Sequence, residues 1–163
     1  MIFVTVGTHE QPFNRLVSYM DRWASEHDEK VIMQTGFSTY EPEHCEYKNM
    51  FTYEKMQEIL PEARVLISHG GPSSFMPFLI SGKKAIVVPR QKEFEEHVND
   101  HQLLFCDAFS EKYGGITVVK DIETLGDVIK LFDDPEYCET NKFVSTNAEF
   151  CEGFKSIVDG LCK

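Results

Sequence analysis

Residues 65–102 are VLISHGGPSSFMPFLISGKKAIVVPRQKEFEEHVNDHQ. Val65, Leu66 and Ile67 are an apolar, mostly β-branched run, the composition of a buried strand, and the run stops at Ser68-His69-Gly70-Gly71-Pro72-Ser73-Ser74. Phe75, Phe78 and Leu79 then recur at helical spacing as far as Gly82. A second buried-type strand, Ala85 to Val88, stops at Pro89. The polar segment after it carries Glu95, Glu96, His97, Asn99, Asp100, His101 and Gln102, and another apolar helix follows. The unit is a β-α-β crossover with a polar loop at the carboxyl end of each strand.

Paired glycines let backbone approach a ligand closely, and the helix after them presents unpaired N–H groups and a partial positive charge, so this chemistry points to an anion. Ser73 and Ser74 fall where the first helical turn is expected, as N-cap and hydroxyl donors. The same string is also ordinary turn and capping chemistry in any α/β protein. The second polar cluster favours binding. Loops after neighbouring strands of an open parallel sheet converge on one crevice, so His69-Gly70-Gly71 and the segment Glu96 to Gln102 are expected to face one ligand.

Outward from this stretch, 163 residues with 42% hydrophobic content are expected to make one domain, residues 1–163, with a closed core. No apolar run approaches the ~20 residues needed to cross a bilayer, and no basic leader or cleavage site precedes the first strand, so a cytoplasmic chain is expected. Five scattered cysteines (Cys45, Cys106, Cys138, Cys151, Cys162) form no C-x-x-C pair and favour neither a disulfide framework nor a zinc site. A formal charge of −11 argues against nucleic acid and against direct docking on an anionic bilayer.

Ile2 to Val6 is a short apolar run of the parallel-sheet kind, ended by Gly7-Thr8-His9, a second candidate phosphate loop. Phe13, Leu16, Val17, Met20 and Ala24 follow at helical spacing with Asn14, Arg15, Asp21 and Arg22 opposite. Val31 to Gly36 reads as a strand, and a polar loop runs to about His44. Glu46 to Phe51 is a short strand leading into a helix, Glu54 to Leu60, closed by Pro61. Beyond Gln102, Leu103, Leu104, Phe105, Ala108 and Phe109 mark a buried helix face that Gly114-Gly115 ends; Ile116 to Val119 is the last strand and Glu123 to Phe132 another helix. The tail, residues 141–163, is a helix with one strongly apolar side, expected to pack across its own sheet or else to dock a partner.

Three strings, Ile2-Phe3-Val4-Thr5-Val6-Gly7-Thr8-His9, His69-Gly70-Gly71-Pro72-Ser73-Ser74 and Glu96-His97-Val98-Asn99-Asp100-His101-Gln102, stand in order and at the right spacing. Together with Gly82-Lys83-Lys84 leading to Val88-Pro89-Arg90, they make residues 1 to about 130 resemble the C-terminal, donor-binding half of family 28 glycosyltransferases. The strings are similar in particular to the short bacterial capsule and exopolysaccharide glycosyltransferases and to the catalytic subunit of the dolichol-linked N-acetylglucosamine transferase. The resemblance implies a Rossmann-like open parallel sheet flanked by helices, equivalent to the C-terminal half of a GT-B glycosyltransferase. It also implies hexosyl or N-acetylhexosaminyl transfer from a UDP-sugar to a lipid-linked acceptor.

On that resemblance Gly7 and Thr8 lie against the donor pyrophosphate, with Gly70, Gly71, Ser73 and Ser74. Phe51 and Tyr53 meet uracil, and His101 and Gln102 read the sugar, with Glu96 and His97 as further contacts. His69 either orients the glycine loop or touches phosphate. An inverting transferase needs a base for the acceptor hydroxyl, and His9 or Glu10 is placed to supply it. The chain departs from the peptidoglycan branch at the ribose, where Pro77 stands in the position of a glutamate. No Asp-x-Asp pair is present, so neither metal nor other cofactor is expected. The acceptor half is absent, which implies a membrane-anchored partner subunit that recruits this chain to the inner face of the membrane. Two other classes compete: a UDP-sugar epimerase, for which the chain is too short, and a non-catalytic nucleotide-sugar-binding scaffold that enhances a partner transferase.

Overall fold

A computed structural model describes residues 1–161; Cys162 and the end of the expected tail helix lie outside them. Six parallel strands form one sheet, β1 (Ile2–Thr5), β2 (Val31–Gln34), β3 (Glu46–Lys48), β4 (Val65–Ser68), β5 (Ala85–Val87) and β6 (Ile116–Val118), in the order β3-β2-β1-β4-β5-β6. Helices α1 (Asn14–Ser25), α2 (Tyr53–Glu62), α3 (Pro72–Ile80), α4 (His101–Tyr113), α5 (Leu125–Leu131), α6 (Pro135–Glu139) and α7 (Asn147–Leu161) complete the described chain. Strand β1 is central, with Ile2 opposite both Val31 and Val65. All four of its residues are buried, as continuous apolar runs in doubly covered parallel strands require.

Side chains alternate across the sheet. Ile2, Val4 and Val6 enter a core with Leu16, Met20 and Trp23 of α1 and Leu125 and Ile129 of α5. Phe3 points the other way, into a core with Ile59 of α2, Phe75 and Phe78 of α3 and Cys106 and Phe109 of α4. The chain reverses its direction of winding between β1 and β4, which opens the crevice outside their carboxyl ends.

Several expectations need correction. Pro61 sits inside α2 and does not close it; the helix begins at Tyr53, with Thr52 Oγ1 accepting from the Lys55 N–H at 3.3 Å. Asp21 is buried, not on an outer polar face. Its carboxylate accepts from the Glu43 and His44 N–H groups and from the Tyr40 hydroxyl, which fixes the helix-free connection between β2 and β3 onto α1. Helix α4 buries Gln102, Cys106 and Phe109, while Leu104 is 69% exposed. Helix α7 buries nothing, so it does not pack across the sheet; the last apolar anchor before it is Phe143, stacked on Phe109 with centroids 6.0 Å apart.

Candidate functional site

The loop after β1 is shaped by Gly7, whose φ of +74° is a left-handed conformation that side chains resist. Its N–H donates to Thr5 Oγ1, which also accepts from Gln34 Nε2. After β4 comes His69, 7% exposed, its imidazole lying between the two glycine loops. A Cβ built on Gly7 would stand 2.3 Å from that ring, and one on Gly71 2.4 Å. The glycines are thus required first by the histidine, and a side chain at Gly71 would strike His69 before any ligand. Burial, with the Arg90 guanidinium adding, pushes the imidazole down to about 4, so the ring is neutral near pH 7, and its Nδ1 is buried without a partner.

Gly70 packs against α4, where an added Cβ would be 2.8 Å from Gln102 Cβ. Gln102 is buried, and its Oε1 accepts from the N–H groups of Gly70 and Arg90, each at 3.1 Å, so it ties the loops after β4 and β5 together. Among the described residues its amide nitrogen donates to no group.

Arg90 is the largest fully buried side chain among the described residues, and no role for it follows from the sequence alone. Its guanidinium donates to the carbonyls of Val6 (3.0 Å), Gln11 (2.8 Å), Pro12 (3.3 Å) and Glu96 (3.1 Å) and lies over the Phe13 ring. One side chain from the loop after β5 thereby holds the loop after β1. The signal in the sequence was a lone cation directly after an apolar strand and its proline.

These loops surround a cavity of about 220 Å³ between α2 and α3. Thr5, Gly7 and Thr8 line it from β1, Gln34 from β2, His69 from β4, Ser73, Ser74 and Pro77 from α3, and Tyr53, Met56, Gln57 and Leu60 from α2. Gly71 is the N-cap of α3, so Ser73 and Ser74 are not caps; they stand in the first turn, and among the described residues neither hydroxyl makes a hydrogen bond.

The other expected residues lie elsewhere. His9, His97 and His101 form a row of edge-to-face imidazoles, centroids 4.6 and 4.5 Å apart, beside His69. His9 Nε2 is buried without a partner, and Glu10 is exposed. Burial, then the neighbouring His101 and His9, lower the His97 imidazole. Among the described residues no cluster of three or more His, Cys, Asp or Glu is arranged to hold an ion. Glu96 does not reach the cavity, because its buried carboxylate pairs with Arg15 (2.8 Å) and accepts from the Gln91 N–H. Phe51 is half-buried and packs against the core beside Phe3, with its N–H given to Gln34 Oε1; the aromatic side chain that does line the cavity is Tyr53.

Residues 1–157 match the glycosyltransferase family 28 C-terminal domain. The chain belongs to that family. No curated protein matches it. Among solved structures, MurG of Acinetobacter baumannii superposes with a TM-score of 0.56 at 14% identity, over 83% of this chain and 42% of MurG. The shared fold is the C-terminal half of a GT-B glycosyltransferase, and the family 28 domain spans less than half the length of that relative. None of its described helices is long and apolar enough to cross a membrane.

Proposed function

We propose that this family 28 domain is the donor-binding, catalytic subunit of an inverting, metal-independent glycosyltransferase. It would transfer a hexose or N-acetylhexosamine from a UDP-sugar to a lipid-linked acceptor in polysaccharide or glycolipid assembly. The observation that carries this is the cavity at the carboxyl ends of β1 and β4, where the unused hydroxyls of Ser73 and Ser74 stand in the first turn of α3. A diphosphate there meets backbone N–H groups, hydroxyls and the positive end of a helix. The His69 ring adds a neutral donor.

In the reaction, the acceptor oxygen attacks the anomeric carbon from the face opposite UDP as the bond to UDP breaks, and His9 takes the acceptor proton. Oriented N–H and O–H donors stabilise the charge on departing UDP without a cation. The Gln102 amide nitrogen and the His97–His101 edge serve the sugar. The acceptor is held by a membrane-anchored subunit, and the uncovered face of α7 is the surface through which the two join at the cytoplasmic side. Calorimetry of UDP binding with a chelator present tests the donor site. Weak, metal-free binding is expected; no binding at millimolar UDP, or binding that requires Mg²⁺ or Mn²⁺, overturns it.

A further inference from the structure

Helices α2 and α3 flank the cavity and both run back from the carboxyl end of the sheet, so depth along them can be counted in turns. At the rim stand Thr8, Tyr53, Ser73 and Ser74; one turn further in stand Met56, Gln57 and Pro77; then Leu60. Beyond Leu60 the groove continues between Gln57, Pro61, Pro77 and Phe78, with few polar groups until Ser81 and Lys83. Of the side chains at the second level, Met56 and Pro77 offer no hydrogen bond. Gln57 is exposed, and among the described residues its amide makes no hydrogen bond.

We infer that Gln57 is the specificity residue for the ribose of the nucleotide, its amide pairing with the 2′,3′-diol. The inference rests on the proposed donor site. With the diphosphate at the first turn of α3, the ribose is the next part of the nucleotide inward, and the side chains it meets stand one helical turn, about 5.4 Å, further along. A vicinal diol offers two groups that each donate and accept, and an amide, with one carbonyl and one NH₂, matches both. Gln57 follows Tyr53 by four residues, so the two share a helix face. An aromatic ring and an amide on one face suit a nucleoside, whereas a free sugar phosphate would leave Tyr53 and Met56 without a partner.

The test is calorimetry of UDP, 2′-deoxy-UDP and inorganic diphosphate against wild type and Gln57→Ala, with thermal melts as the folding control. Because Gln57 is exposed, the variant should melt like wild type. Wild type should bind UDP about fivefold to tenfold more tightly than 2′-deoxy-UDP, the effect of one hydrogen bond. Gln57→Ala should abolish that preference and leave diphosphate binding unchanged. Equal losses for UDP and 2′-deoxy-UDP, or no loss for either, overturn the inference while the donor site stands. Failure of wild type to bind UDP overturns the donor site and the inference together.

Discussion

A single imidazole carries much of the site's geometry, because His69 fills the space that Gly7 and Gly71 leave open. Its folded value of about 4 lies below the 6.5 of a free imidazole. Above pH 6.5 neither state binds the proton and the full stability is present. As pH falls from 6.5 towards 4, the unfolded chain is protonated and the folded chain is not, and on the order of 3 kcal/mol is lost by pH 4. Urea titrations between pH 7.5 and 4.5 should show this decline, and His69→Asn should flatten it by that amount; parallel pH dependences would mean that His69 titrates alike in both states. Gln102 is a second case. Its oxygen serves two buried N–H groups, so Gln102→Ala should lower unfolding free energy by about 2 kcal/mol or more. Gln102→Glu, which keeps an acceptor there, should lose less. A variant as stable as wild type would show that water replaces the amide. The sequence marks Gln102 as a candidate sugar contact, but its tie to Gly70 and Arg90 was not legible, since a local string does not reveal which backbone donors a side chain will meet thirty-two residues away.

At the scale of elements, the strands of the central β-α-β unit and the first helix were readable because doubly covered parallel strands are apolar throughout and α1 keeps a helical apolar period. The reading failed where apolar spacing does not mean burial. In α4 the run Leu103-Leu104-Phe105 reads as a core face, yet the face turned to the sheet is the one with Gln102 and Cys106, because Gly70 needs close contact there. Helix α7 is the sharper example: Phe150, Phe154 and Ile157 are 69%, 59% and 63% exposed. A stripe of this kind is a contiguous apolar surface that the described residues leave uncovered. Since α7 contributes no buried residue, Phe154→Asp with Ile157→Asp should leave unfolding free energy within about 0.5 kcal/mol of wild type and UDP affinity unchanged. On the proposed pairing, the same changes should stop co-purification with an acceptor-binding subunit. A drop in stability much beyond that range would mean that α7 packs on its own domain in solution.

For the molecule as a whole, the sequence strings named the fold because each sits at the carboxyl end of a strand, and six parallel strands in this order bring those ends together. What no string disclosed was the wiring between them: the cavity wall from α2, the Glu96–Arg15 pair that takes a carboxylate out of the site, and the cage around Arg90. That cage has a temporal side. The carbonyls it gathers belong to residues 6, 11 and 12 near the beginning of the chain and to residue 96, more than halfway along it. During synthesis the first strand leaves the ribosome some eighty residues ahead of the guanidinium that will fix its loop, and the strands that must flank it arrive before that guanidinium does. Contacts so distant in sequence form late, after their chain-closure entropy has been met. A nascent chain that stops short of Arg90 therefore has the loop after β1 untied, and the cavity that this loop lines is complete only as the second half of the sheet closes.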